Sequence, residues 1–487
     1  MNPESRLFID GELVVAASGR TYPNISPVSE AVIGYAADAG PEDMDRAIAA
    51  ARRAFDQGDW STNHSFRLHC IGQLRDALVQ AMGEFRQQIA AETGSPLGIC
   101  GASGPQCDVP IGFIDYTLQA LPEFSWSRDI GIGEFAGIRS RRLVEKEAIG
   151  VVACITPWNV PLQINLAKCI PALAAGCTVV LKAAPDTPWS ATMLGRLVRN
   201  HTDIPAGVFN VITAEDPRLV GDQLVADPRV DMVSFTGSTA VGKHIMARAA
   251  QTVKKVFLEL GGKSANILLD DADFATALPS ALSVCFHAGQ GCAIATRLLV
   301  PKSRQAEAEE LLKTFFSFIQ YGDPAAEDQI MGPLVNRRQY ESVLAFIETG
   351  RQQGARLLLG GGKATQLATG YYIEPTVFVD VSNDMRIAQE EIFGPVLSVI
   401  SYEDEEDAIR IANDSVYGLS GSVWSADEAR ALAVARRIRT GTVNVNGGNF
   451  YAADAPFGGY KQSGLGREMG AEGFEEYLET KTIAIGL

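Results

Sequence analysis

The sequence predicts an α/β protein in two halves, each a parallel sheet covered by helices. Two observations carry this. Apolar runs of strand length alternate with helix-length amphipathic stretches over 149–252, and the alternation resumes from Ala265 to about Gly458. No Pro- or Ser-rich linker divides the halves, so they are expected to pack directly, with the boundary in a turn near Leu258.

The elements follow in order. Pro41 opens a helix with Glu42 and Asp43 in its first turn and Ala47, Ile48 and Ala51 at helical spacing, so 40–90 reads as amphipathic helices. A buried strand at 149–156, a helix at 163–175 and a strand at 178–182 make a βαβ unit. Strands at 209–213 and 232–235, with helices near 219–225 and at 241–252, continue it; this is the pattern of a parallel sheet helix-covered on both faces. The second half offers strands at 265–269, 297–301 and 396–402 and helices at 305–318 and 406–413. Segments 125–147 and 473–486 fit neither alternation and carry alternating apolar positions, as in Thr482-Ile483-Ala484-Ile485.

Composition narrows the function classes. The 487 residues carry 42 Lys plus Arg against 58 Asp plus Glu, a formal charge of −16 with no basic stripe, which argues against a nucleic-acid partner. Eight cysteines without regular spacing and without a C-x-x-C pair read as reduced thiols. Five histidines form no cluster with ligand spacing, so no metal site is expected. The first eleven residues lack a basic and an apolar region, and no run approaches the roughly 18 apolar residues of a membrane span; the cytoplasm is the expected location.

Five segments carry chemistry. Cys292 lies between Gly291 and Ala293, where small neighbours leave a thiol reachable, and reads as a nucleophile. Glu259, inside the apolar run 256–260 and before Gly261 and Gly262, reads as a base. Asn159, between Pro157 and Pro161, offers an amide to a developing oxyanion. Thr236-Gly237-Ser238 joins a strand to a helix and forms an anion site of backbone N–H groups. Glu391 and Phe393 place a carboxylate and a ring in one turn before Gly394 and Pro395. Lys182 ends its strand at the edge where open parallel sheets bind ligands. The G-x-G-x-x-G fingerprint is absent from these turns.

These segments, in this order, resemble the NAD(P)-dependent aldehyde dehydrogenase superfamily, from Gly11-Glu12 to the 456–464 run Pro-Phe-Gly-Gly-Tyr-Lys-Gln-Ser-Gly. The resemblance implies a Rossmann-like cofactor domain (1–124 and 148–257), an α/β catalytic domain (258–465) and a small β-rich oligomerisation arm (125–147 and 466–487), hence a homodimer or homotetramer. It implies catalysis by Cys292, Glu259, Asn159 and a supporting Lys168, and a cofactor held by Ile155, Thr156, Trp158, Asn159, Lys182, Pro185, Gly237, Ser238, Val241, Leu260, Glu391 and Phe393. The implied reaction oxidises an aldehyde to the carboxylic acid through a Cys292 thiohemiacetal and thioester, with Glu259 activating the water. Two rivals are a coenzyme-A-acylating semialdehyde dehydrogenase, whose members typically lack the Glu259 equivalent, and a structural relative without turnover. Cys285 is read as core on the same helix as Cys292, and His287, where the family more often has asparagine, is not read as a base.

Three departures refine the expectation. Pro185 stands where NAD-selective members usually carry a glutamate, yet no Arg or Lys nearby welcomes a 2′-phosphate and Glu215-Asp216 disfavour one; NAD is expected, with NADP possible. Val160 and Ala167 replace aromatic residues often found along the substrate channel, next to Ile164, while Phe286, Phe450 and Phe457 remain as apolar lining. No Arg or Ser pattern marks a substrate carboxylate, so a medium or bulky apolar aldehyde is expected.

Overall fold

The protein is described by a computed structural model covering residues 3–101, 104–326 and 329–487. Met1 and Asn2, at the start of the expected cofactor half, lie outside the described residues, as do 102, 103, 327 and 328.

Among the described residues the first half is an eight-stranded sheet. Its centre is parallel, in the spatial order Lys255–Glu259, Met232–Thr236, Val151–Ile155, Thr178–Lys182 and Phe209–Ile212. Val151–Ile155 and Thr178–Lys182 are buried at every residue, which the continuous apolar runs required of strands covered on both faces. The chain runs outward from Val151–Ile155 in one direction and then returns to build the other side, so the order reverses between Val151–Ile155 and Met232–Thr236. Ligands of open α/β sheets bind at such a switch point, beyond the C-terminal strand ends.

The second half is a seven-stranded sheet, parallel except for one edge pair, containing Ala265–Leu268, Arg297–Pro301 and Val396–Tyr402 at its centre. Thr376–Val379 and Gly421–Trp424 also belong to it; at four residues each they are too short for their periodicity to stand out in the sequence. The expected inter-half turn near Leu258 is displaced: Leu258 sits inside Lys255–Glu259, and the turn follows at 260–264.

Ser127–Phe135, Ile138–Ala148 and Leu478–Gly486 form a separate antiparallel sheet. Of the segment 466–487, only this last strand joins it. Gly470–Glu475 is a helix packed on Pro161–Ala175, and the preceding Gly464–Leu465 pairs with Lys255–Glu259 in the first sheet. That pairing brings the Gly-rich 456–464 run against Glu259. No helix among the described residues is long and apolar enough to cross a membrane.

Candidate active site

Cys292 lies in the loop before Arg297–Pro301 and is half-buried, the only one of the eight free cysteines that is not fully buried. It is not on the helix of Cys285. The turns at Leu278–Gly289 break where His287 and Ala288 take left-handed backbone angles (φ +50° and +52°), which redirects the chain before the thiol. The Cys292 carbonyl passes so close to Gly262 that a Cβ there would lie 2.5 Å from it, so the turn after Glu259 and the thiol loop depend on each other.

Glu259 ends Lys255–Glu259 with its side chain buried (3% exposed) and neither carboxylate oxygen hydrogen-bonded. A Cβ at Gly458 would fall 2.7 Å from its Oε1, so the glycine leaves the carboxyl its space. Burial pushes this carboxyl far up and the nearby Glu468 adds to the effect, while Lys168 and Arg467 oppose it. Burial also raises the Cys292 thiol, and Glu259 and Glu391 raise it further. The thiol and the carboxyl are thus electrostatically coupled, and the protonated thiol is the resting form.

Asn159 is buried, and its side-chain amide donates to the Gln290 carbonyl at 3.0 Å. An amide nitrogen carries two hydrogens, so one donor remains for an oxyanion. Its own carbonyl accepts from Gln106 Nε2 at 3.0 Å. Gln106 also donates to Ser95 Oγ at 2.8 Å, and Ser95 Oγ lies 3.1 Å from His287 Nδ1. Burial lowers His287 to about 4, so at neutral pH it is an uncharged member of this network.

The remaining residues line the C-terminal edge of the first sheet. Ile155 ends its strand, and the following Thr156 donates its backbone N–H to Lys182 O at 3.2 Å. Lys182 is buried with only a 3.4 Å contact to the Ala183 carbonyl, and burial lowers it to about 8 against the pull of Asp216. Pro185 is half-buried in the loop beyond. Gly237 donates to the Glu259 carbonyl at 3.0 Å, and Ser238 caps Thr239–Ala249 by accepting from Val241 N–H at 3.4 Å, leaving Ser238 and Val241 exposed at a helix N-terminus. Leu260 donates to the Ser463 carbonyl.

The second half closes over this edge. Glu391 Oε1 accepts from Gly262 N–H at 3.0 Å; burial raises the carboxyl to about 7, opposed by that N–H and by Lys263. Phe393, at φ +59°, sets its ring edge-on to Trp158, 5.4 Å between centroids and 83° between planes. A buried, under-partnered lysine, an open helix N-terminus and a fixed carboxylate suit a phosphate- and ribose-bearing cofactor at the switch point.

Lys168 is fully buried, paired with Glu468 at 2.9 Å, and stands 4.7 Å over the Phe257 ring. Glu468 is absent from the sequence reading. Its signal was the helix Pro161–Ala175, buried at every position except Pro171: a lysine in so apolar a helix demands an anion. Gln106, Tyr451 and Gln163 were also missed; the Gln163 amide donates to the Tyr451 hydroxyl, and only long-range packing joins them. Of the expected apolar lining, Phe450 and Phe457 stack at 5.9 Å, whereas Phe286 is 41% exposed because the backbone break turns it outward.

The aldehyde dehydrogenase family model matches residues 14–483. A 3-succinoylsemialdehyde-pyridine dehydrogenase from Pseudomonas sp is 43% identical over 99% of both chains. Among solved structures, aldehyde dehydrogenase C of Pseudomonas syringae, a cysteine-to-alanine mutant complexed with NAD+ and octanal, aligns at TM-score 0.93 and 40% identity, covering 99% of this chain and 96% of that one. Betaine aldehyde dehydrogenase of Staphylococcus aureus, in complex with NAD+, aligns at 0.95 and 37%, covering 99% and 95%. The chain belongs to the aldehyde dehydrogenase family. It is an NAD(P)-dependent oxidoreductase acting on the aldehyde group.

Proposed function

We propose that the protein oxidises an aldehyde to its free carboxylic acid, with Cys292 as nucleophile, Asn159 as oxyanion donor and Glu259 as the base that activates water. The observation that carries this is the Glu259 carboxyl, buried beside the thiol with both oxygens unpartnered. Leaving such a group unsatisfied costs about 1–3 kcal/mol or more, a cost expected where the group must exchange a proton.

Cys292 attacks the carbonyl carbon after its proton passes to solvent, forming a thiohemiacetal. The Asn159 amide and the Cys292 backbone N–H hold the oxygen. The nicotinamide dinucleotide supplies the hydride acceptor when bound. Ile155, Thr156, Trp158, Asn159, Lys182, Pro185, Gly237, Ser238, Val241 and Leu260 would line its site, where Lys182 and Glu391 would hold the ribose hydroxyls, with Phe393 beside Glu391. Glu259 then takes a proton from water, which adds to the resulting thioester; collapse expels the thiolate and releases the acid. Lys168 supports the site by neutralising Glu468, which faces Glu259. The intact Glu259 favours water over coenzyme A as acceptor, and its presence beside Cys292 argues against a structural relative.

NAD is the favoured dinucleotide, because Glu215 and Asp216 would repel an added phosphate; NAD+ is also the one in the Pseudomonas syringae and Staphylococcus aureus complexes. The arm joins subunits into a homo-oligomer: Ile132, Phe135 and Ile138 stand more than half exposed along it, apolar surface that a second copy would cover. Eight unpaired thiols fit a cytoplasmic protein. The test is reduction of NAD and NADP over an aldehyde panel, with and without coenzyme A. Acid without coenzyme A is expected, and Cys292→Ala should abolish turnover while dinucleotide affinity stays. Coenzyme-A-dependent turnover, or an active alanine variant, would overturn the proposal.

A further inference from the structure

The oxyanion donor is held at both ends by a closed circuit of buried hydrogen bonds. Asn159 donates its side-chain amide to the Gln290 carbonyl at 3.0 Å, and its own backbone carbonyl accepts from Gln106 Nε2 at 3.0 Å. His287 joins the two glutamines: its carbonyl accepts from the Gln290 backbone and side-chain N–H groups, both at 3.1 Å, and its ring Nε2 lies 3.4 Å from Gln106 Nε2. At the other edge of the imidazole, Ser95 Oγ lies 3.1 Å from Nδ1 and accepts from Gln106 Nε2 at 2.8 Å. Ser95, Gln106, Asn159, His287 and Gln290 are each 5% exposed or less.

Both bridging residues bear a cost to complete this circuit. A carbonyl only accepts, so the Gln106 amide must turn its nitrogen toward Asn159, which leaves Gln106 Oε1 buried without a partner. His287 and Ala288 hold left-handed backbone angles that non-glycine residues rarely adopt (φ +50° and +52°), and Gly289 follows at +74°. This tight turn brings the His287 ring to Gln106 and its carbonyl back to Gln290, two residues before the thiol. None of Ser95, Gln106 and His287 takes part in making or breaking bonds.

Resting on the reading of Asn159 as oxyanion donor, we propose that Gln106 and His287 are positioning residues of the oxyanion hole: they fix the Asn159 peptide so that the second hydrogen of its amide is aimed before the thiohemiacetal forms. The Gln290 carbonyl takes one amide hydrogen and Gln106 ties the peptide carbonyl, so side chain and backbone are both held and the remaining hydrogen has one direction. An oxyanion donor works at about 2.7–3.1 Å from the developing charge, a tolerance that a loose backbone does not meet. Gln106 and His287 act through Asn159, so their loss falls on the transition state and not on the first binding of aldehyde or dinucleotide.

The experiment measures kcat and KM for decanal oxidation, and NADH affinity, in Gln106→Met, Asn159→Ala, their double variant, His287→Leu and His287→Asn. Gln106→Met keeps the side chain's length and removes its donors; kcat and kcat/KM should fall together by about ten- to a hundredfold, the scale of a misplaced catalytic group, with NADH affinity unchanged. In the Asn159→Ala background the same substitution should change kcat by less than about twofold, because the amide it positions is gone. His287→Leu should fall as Gln106→Met does, and His287→Asn should recover most of that loss, since asparagine tolerates the left-handed backbone and offers Ser95 an amide. Losses that multiply in the double variant, a loss confined to KM or to NADH affinity, or a His287→Asn enzyme as slow as His287→Leu would overturn the inference by making the circuit merely structural. The two His287 variants leave Gln106 intact, so they decide even if Gln106→Met fails to fold. An Asn159→Ala enzyme with unchanged kcat would defeat the oxyanion reading itself, whereas a slow Asn159→Ala beside a fully active Gln106→Met would defeat the positioning pair alone.

Discussion

Each half of the molecule sends one carboxyl toward Cys292, and the two are held differently. Glu391, from the second half, is tied to the Gly262 N–H and stands two residues before Phe393, whose ring meets Trp158 edge-on. Glu259, from the first, touches no hydrogen-bond partner and lies against glycine. Burial raises both, but only Glu391 has a backbone donor that pulls it back toward ionisation. A carboxylate that must accept hydrogen bonds from ribose gains from being pre-oriented and charged. One that must take up and return a proton gains from being unpaired, with its proton affinity raised toward the working pH.

The contrast can be broken from either side. The largest expected effect is at the oxyanion position: Asn159→Ala should cost about 2.7–4 kcal/mol of transition-state stabilisation, read in kcat. A loss confined to KM would mean that the amide binds substrate and transition state alike. Next is Glu391. With its carboxyl at about 7, the ionised acceptor grows as pH rises from 6 to 8, so NADH should bind more tightly over that window, by at most about tenfold per pH unit. Glu391→Gln should flatten the profile; an unchanged slope would assign it to another group. The smallest effect is at the adenosine end. Pro185→Glu should lower NADP use relative to NAD by about tenfold through repulsion of the 2′-phosphate. An unchanged ratio would locate selectivity elsewhere, with Glu215 and Asp216 the next residues to vary.

Much of this was legible in the sequence because the information is local. Arg297–Pro301 and Val396–Tyr402 have the expected bounds, since each is rich in apolar residues and has clear ends. Glu259 and Lys182 end parallel strands of the first sheet and Asn159 follows another, as their apolar runs implied, whereas Cys292 and Glu391 lie in loops that precede strands of the second sheet. What escaped depends on contacts across the chain. Gln106 supports Asn159 from 53 residues away, and Glu468 meets Lys168 across 300. The helix drawn from Cys285 to Cys292 failed because two left-handed residues, His287 and Ala288, interrupt an otherwise helical composition.

The central claim is that Glu259 acts after oxidation, and a single-turnover mix of NAD and decanal with Glu259→Gln tests it most directly. The amide keeps the side chain's size but is a poor base, so acylation should proceed once. The account predicts a burst of NADH no larger than the active-site concentration, a stalled steady state, and an acyl adduct on the Cys292 peptide by mass spectrometry. Normal steady-state turnover would contradict it by showing that another group activates the water; absence of both burst and adduct would contradict it by making Glu259 the activator of the thiol.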